Sequence, residues 1–470
     1  MTRASRMLVP LCAAAVLAAC SFTPTYERPP LAVAERFPTA APDTAGGPAA
    51  ADRDWREVFT DARQQRLIEL ALQNNRDLRI AALNVEQAQA RWQIQHASLW
   101  PTVYAGLGGS RQALANGNSV TTYSAGLLVS AFEIDFFGRL RALSDAAQAQ
   151  AVSAEDGRRA AQIALIASVA SLQLSLLADD ELLKLTRETL DTRIESLRLT
   201  QLRFDNGAAS ELDLRLAQSV VASARAALAQ VQRARALDEN LLVLLVGAPL
   251  PADLPAGAAT LAEMPAFPEL PVGMPTSVLQ RRPDILAAEQ QLIAANFNIG
   301  AARAAYFPQV TITASAGSVA GEFSGLFKGG SWGWSAAPQA LLTLFDAGRN
   351  RATNRFAEAN RDAALAQYDR TVQTAFREVS DALAGRDTLS EEAFQLQETS
   401  KAEAARYRLV DLRYRNGVAS SLDLLDAQRS LFAVQQLALQ SRLAQAQNQV
   451  VLYKVLGGGW TETTTTSKAP

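Results

Sequence analysis

A chain of 470 residues, 49% of them hydrophobic and 20% charged, has ample apolar material for a large ordered structure and does not have the composition of a disordered one. Its formal charge of −2 excludes the strong basic bias of a general nucleic-acid binder. One histidine and two cysteines, with no P-loop or nucleophile-elbow pattern, argue against an enzyme and against a metal or cofactor site. Acidic pairs such as Asp179-Asp180 and Glu391-Glu392 are adjacent on helical stretches, point in different directions and read as solvated faces.

In chain order, residues 1–19 form an export signal, because Arg3 and Arg6 precede a short apolar run that ends in small residues. The run closes in Leu17-Ala18-Ala19-Cys20, which resembles the lipobox of bacterial lipoproteins. That resemblance makes Cys20 the new N-terminus and the carrier of a covalent lipid, the one modification expected of a chain otherwise without cofactors. Ser21 follows where lipoproteins kept in the inner membrane often carry Asp, which points to outer-membrane sorting. Cys12 is lost with the signal, so no disulfide is expected. Residues 20–51 read as a mostly extended lipidated tether.

A tandem repeat organises the rest. Leu202-Arg203-Phe204-Asp205-Asn206-Gly207-Ala208-Ala209-Ser210-Glu211-Leu212-Asp213-Leu214 returns without a gap as Leu412-Arg413-Tyr414-Arg415-Asn416-Gly417-Val418-Ala419-Ser420-Ser421-Leu422-Asp423-Leu424. The same offset pairs Gly138-Arg139 with Gly348-Arg349 and Gly247 with Gly457. The first repeat spans 52–246 and the second 284–457, joined by a linker at 247–283 whose eight prolines predict an extended connection; 458–470 reads as a disordered tail.

Within each repeat the alternation at Val310–Ala316 and its counterparts near 102–110, 122–134 and 331–344 predicts one β-hairpin, with tips near Asn116-Gly117-Asn118 and Gly325–Gly330. One strand face is expected to meet lipid and the other water. Trp332 and Trp334 share a face and, with Tyr104 or Tyr123, form a candidate aromatic girdle; core packing explains such aromatics equally well. A membrane sheet tolerates no open edge, and four strands are too few to close a barrel, so the chain must oligomerise to span.

Arg139 to Phe204 and Arg349 to Arg415 each contain no proline and one glycine, and so predict helices roughly 100 Å long at 1.5 Å per residue. Ile163, Ile166, Ala167, Ala170, Leu174 and Leu177 keep the spacing of one packed stripe. Asn206-Gly207 and Asn416-Gly417 stop these helices; Ser210 and Ser420, with Asp213 and Asp423 three residues on, restart them as capping boxes. The returning helices run to Val246 and Leu456.

This arrangement, over roughly residues 52–457, resembles the TolC-like outer-membrane factors. Leu270-Pro271-Val272-Gly273-Met274-Pro275, Arg281-Arg282-Pro283-Asp284-Ile285, and Trp55, Phe59, Asp61, Asn75 and Asp77-Leu78 are similar to the lipoprotein, NodT-type branch serving resistance-nodulation-division pumps. The resemblance implies a mostly α fold with a membrane β-barrel part: a homotrimer with four strands per chain and twelve in all, continued by a long periplasmic α-helical barrel. It further implies an outer-membrane exit channel of a tripartite efflux pump, passing small amphiphilic or toxic compounds and partnered by a periplasmic adaptor and an inner-membrane pump. A periplasmic structural lipoprotein, or an exit duct for secreted proteins or metal cations, are the alternatives.

Asp423 and Asp426 share a helix face, and threefold symmetry turns each into a carboxylate ring of the kind that selects cations. They match aspartates lining the periplasmic aperture in the family. Asp423, like Asp213, serves equally as a helix cap; Asp426 lies beyond the first turn, and its repeat partner is Leu216. Tyr414, the counterpart of Phe204, stands where some relatives have a gate-latching tyrosine, but Ala419 replaces the arginine of that pattern. Arg203 and Arg413, beside Asn206-Gly207 and Asn416-Gly417, read as adaptor-docking tips or as helix C-caps.

Overall fold

A computed structural model describes residues 22–38, 53–115, 117–268 and 276–459. The signal, Cys20, most of the tether beyond Pro38, the 270–275 motif and the tail after Gly459 lie outside the described residues. The elements in order are α1 (Trp55–Val58), α2 (Ala62–Asn74), α3 (Arg76–Ala97), β1 (Val103–Ala113), β2 (Ser119–Glu133), α4 (Arg139–Asp205), α5 (Glu211–Val246), α6 (Pro283–Ala304), β3 (Gln309–Ala320), β4 (Trp332–Leu341), α7 (Arg349–Arg415) and α8 (Ser421–Val455). The repeat is plain in this order, and α4 and α7 are both 67 residues long. Short 3-10 turns, Thr276–Arg281 in the linker and Phe323–Phe327 between β3 and β4, interrupt two segments expected to be irregular.

The chain divides into two compact units, each drawing on both repeats. One contains 22–30, 83–156 and 286–370, and with them the sheet. Its four strands are antiparallel in the order β1-β2-β3-β4, so the two repeats meet through β2 and β3. The register sorts the side chains into two unlike faces. Leu107, Ala125, Ser318 and Trp332 form one cross-strand row, and Ala105, Leu127, Ala316 and Trp334 the next row of the same face. The other face carries Tyr104, Leu128, Ser315 and Ser335, then Gly106, Gly126, Gly317 and Gly333. Of the two tyrosines considered with the tryptophans, Tyr123 shares their face and Tyr104 does not, because a strand alternates sides residue by residue.

The glycine row crosses all four strands, and its two central members have a geometric reason. A Cβ on Gly126 would collide with the Ala316 carbonyl oxygen, and one on Gly317 with that of Ala125, whereas Gly333 has open space around it. The backbones of β2 and β3 therefore approach too closely at this row to admit a side chain. Farther along the same pair a bulge shifts the register between Val129 and Phe132, with Ala131 at φ 49°.

In the same unit the N-terminal segment is pinned rather than loose. Arg28 donates two hydrogen bonds of 2.6 Å to the Glu289 carboxylate on α6, Tyr26 donates a third, Asn296 donates to the Pro24 carbonyl, and Phe22 stacks on Phe307 at 4.4 Å. The expected extended tether thus acts as a strap along α6 over residues 22–28. A carboxylate as buried as Glu289 requires such partners.

The second unit, within 31–82, 157–285 and 371–470, holds the hairpin tips. The apolar stripe of α4 is buried as its spacing predicts from Ile163 to Leu174, with Ile166 1% and Ala170 and Leu174 0% exposed, while its last member, Leu177, is only partly buried; each large apolar side chain so buried contributes about 1.5–3 kcal/mol. Trp55 and Phe59 are wholly buried, the latter edge-on to Tyr453, whose hydroxyl donates to the Arg53 carbonyl. Several residues of the branch-like motifs prove structural. Asp61 caps α2 through the Gln64 amide and accepts from the Ala258 amide in the linker; Asn75 accepts from the Leu78 amide and donates to the Leu245 carbonyl. Buried Arg282 pairs with Asp284 and Glu378 and donates to the Val455 carbonyl.

Candidate functional site: the helical hairpin tips

Both tips form as their sequences dictate. After α4 the Gly207 amide donates to the Phe204 carbonyl and the Ala208 amide to the Arg203 carbonyl; after α7 the Gly417 and Val418 amides repeat this on Tyr414 and Arg413. These paired bonds close a helix C-terminus with glycine in the left-handed region, at φ 73° for Gly207 and 72° for Gly417. Asn206 and Asn416 add side-chain donors to the Leu202 and Leu412 carbonyls. Among the described residues no side chain crowds either glycine, and both are exposed.

Each returning helix begins with a complete capping box: Ser210 with Asp213, and Ser420 with Asp423. Both carboxyls are held below their ordinary range, chiefly by hydrogen bonds from the capping serines; for Asp213 a further bond of 2.6 Å comes from Ser421. The capping role is therefore filled at both aspartates. Asp423 is also exposed, so the cap leaves it at the surface.

Asp426 sits one turn deeper and is half-exposed. It accepts from Arg406 at 2.5 Å and, more weakly, from Arg429 at 3.4 Å, and these guanidiniums, Arg406 first, hold its carboxyl below the usual aspartate range. Sequence reasoning missed both arginines. Arg429 was legible as an i,i+3 neighbour, and Arg406 as its hairpin opposite, since Arg406 and Asp426 each stand ten residues from Asn416.

The gate and tip candidates are also brought together. The Arg203 guanidinium lies 4.5 Å from the centroid of the Tyr414 ring, which is 8% exposed. Arg203 is therefore occupied inside the chain, while Phe204, Arg413, Asn206, Gly207, Asn416 and Gly417 remain exposed. Around the turns Leu202, Leu212, Leu412, Val418 and Leu422 are more than half exposed, an apolar rim at the two tips.

Comparison with known proteins places this architecture. The family described as Outer membrane efflux protein matches residues 67–248 and 274–458. The toluene efflux pump outer membrane protein TtgC of Pseudomonas putida and the antibiotic efflux pump outer membrane protein ArpC of the same species are each 44% identical over 459 residues, covering 96% of this chain and 94% of theirs. The open-state outer membrane channel MtrE of Neisseria gonorrhoeae superposes with a TM-score of 0.86 at 38% identity, covering 94% of this chain and 99% of that one. The fold class is that of the trimeric outer-membrane efflux channels, mostly α with a four-stranded membrane sheet per chain. The chain belongs to the outer membrane efflux protein family and serves as the outer-membrane exit channel of an efflux pump.

Proposed function

We propose that three copies close a twelve-stranded barrel and a periplasmic helical tunnel, and that this duct passes small amphiphilic or toxic compounds delivered by an inner-membrane pump of the resistance-nodulation-division type through a periplasmic adaptor. The observation carrying this reading is the sheet itself. It has one exposed apolar face, and β1 and β4 stand at its ends, each hydrogen-bonded along one side only among the described strands. In a bilayer those edges require partners, and further copies of the same sheet supply them. The names of the toluene and antibiotic relatives support the cargo class.

Asp426 and Asp423 are the proposed aperture carboxylates, with Asp213 beside them. The apolar rim together with Phe204, Arg413 and the Asn-Gly turns is the proposed adaptor contact, and Tyr414, stacked under Arg203, is the proposed gate element. Cys20 is the proposed lipid attachment; the strap at 22–28 supports it by fixing the chain two residues beyond that cysteine against Phe307. The test is to isolate the protein from outer membranes in mild detergent, measure its mass as an oligomer and record single-channel currents. A trimer with cation-selective currents is expected, and a monomer that never inserts would overturn the reading.

A further inference from the structure

The connection between β3 and β4 is a built element rather than a loose hairpin tip. Residues Phe323–Phe327 form a 3-10 turn that packs back onto β2 and β3. Leu326 is its buried foot at 3% exposure, and Gly325 lies so close to the strand that a Cβ there would press on Ala320. Ser331 fastens the far side: its hydroxyl donates to the Leu326 and Lys328 carbonyls, and its own carbonyl accepts from the Val319 amide.

This scaffold holds two large rings outward. Phe327 is 82% and Phe323 53% exposed, and Lys328, also exposed, follows directly. A phenyl ring presented to water by an ordered turn is unfavourable, whereas the same ring at a lipid boundary is buried. The turn lies on the lipid-compatible side of the sheet. Phe323 meets Tyr123 edge-on at 5.9 Å and Phe327 meets Phe323 at 6.3 Å, and Tyr123 shares its face with Leu107, Leu127, Trp332 and Trp334. Because its main packing is over the central strands β2 and β3, away from the free side of β4 through which a neighbouring copy would pair, the turn is placed toward the bilayer rather than a neighbouring copy.

We propose that residues 321–331 are an outer-leaflet docking element, in which the Phe323 and Phe327 rings enter the acyl boundary and the Lys328 ammonium reaches the phosphate-bearing headgroups. The occupant is outer-leaflet lipid. Aromatic rings backed by a lysine suit that boundary, where the amphipathic stem of lysine lies along apolar chains while its charge stays among headgroups.

The test uses the mature protein in lipid vesicles with a nitroxide on Phe327→Cys; under the proposed processing Cys12 leaves with the signal and the Cys20 thiol carries the lipid, and the parent chain treated identically gives any remaining background. Leu107→Cys on the apolar strand face and Leu412→Cys at a helical tip are the references. Docking predicts that molecular oxygen relaxes the Phe327→Cys label several-fold more effectively than a water-soluble nickel chelate does, as at Leu107. Preferential relaxation by the chelate, as at Leu412, would overturn the proposal, as would protection from both reagents, which means that protein covers the ring. Chelate access at Leu107 as well would overturn the membrane assignment of the sheet itself, and docking with it.

Discussion

The guanidinium of Arg203, at the end of α4, stacks on the ring of Tyr414, at the end of α7, and so clasps the tip of one repeat to the tip of the other. A second clasp runs parallel to it from Ser421 to Asp213. The two tips of a chain are thereby set to move together, and opening of the proposed aperture would have to carry or break both contacts.

Arg203→Ala and Tyr414→Ala are expected to loosen this clasp, with a loss of about 0.5–2 kcal/mol for a cation over a shielded ring. Tyr414→Phe keeps the ring and is expected to behave as the parent. Single-channel recordings check this: the two alanine variants should show larger or more frequent openings, and equal behaviour of all three variants would remove the clasp from gating.

Asp426→Asn is expected to reduce cation selectivity and weaken blockade by polyvalent cations, whereas Arg406→Ala, by uncovering the carboxylate, is expected to increase both. The pH dependence follows from the sign of the shift. Because the Arg406 and Arg429 guanidiniums depress the Asp426 pKa, its charge is fully present above the ordinary aspartate range and is lost only as pH falls through the lower, folded value. Arg406→Ala should move the acid loss of selectivity to higher pH, and reversal potentials in a salt gradient measured down the acid range read that displacement.

Asp179 on α4 behaves in the opposite sense. Burial first, then the neighbouring Asp238 and Asp180, push its carboxyl up to about 6, against the lowering influence of Arg235, and its Oδ2 is buried without a hydrogen-bond partner among the described residues. A raised acid stabilises the fold below its unfolded value and loses that contribution as pH rises through the folded value. Asp179→Asn is therefore expected to raise the melting temperature above pH 7 and to leave it nearly unchanged near pH 4. Thermal unfolding in detergent at the two pH values measures the difference.

The glycine row makes an internal comparison. Gly126→Ala and Gly317→Ala place a methyl against backbone of the adjacent strand and are expected to destabilise the sheet by about 1–3 kcal/mol, as overpacking does, and to reduce oligomer yield. Gly333→Ala points into open space and should assemble as the parent does. Oligomer bands on mildly denaturing gels distinguish the two groups.

What the sequence by itself determined was everything carried by local periodicity and by duplication. The long helices lack internal breakers, so their limits at Arg139 and Arg349, and their ends at Asn206-Gly207 and Asn416-Gly417, follow from backbone chemistry within a few residues. The capping boxes at Ser210 and Ser420 are three-residue motifs, and the four strands are read from alternation. Tertiary structure alone decided which side chains meet across elements. Nothing local states that Arg203 finds Tyr414, that Asp213 accepts from Ser421, that Arg28 strikes Glu289, or that Tyr123 rather than Tyr104 joins the tryptophans, because these depend on register between segments as far as 261 residues apart. A register step of one residue turns a side chain to the opposite face, and sequence periodicity within one strand or helix carries no information about its neighbour's phase.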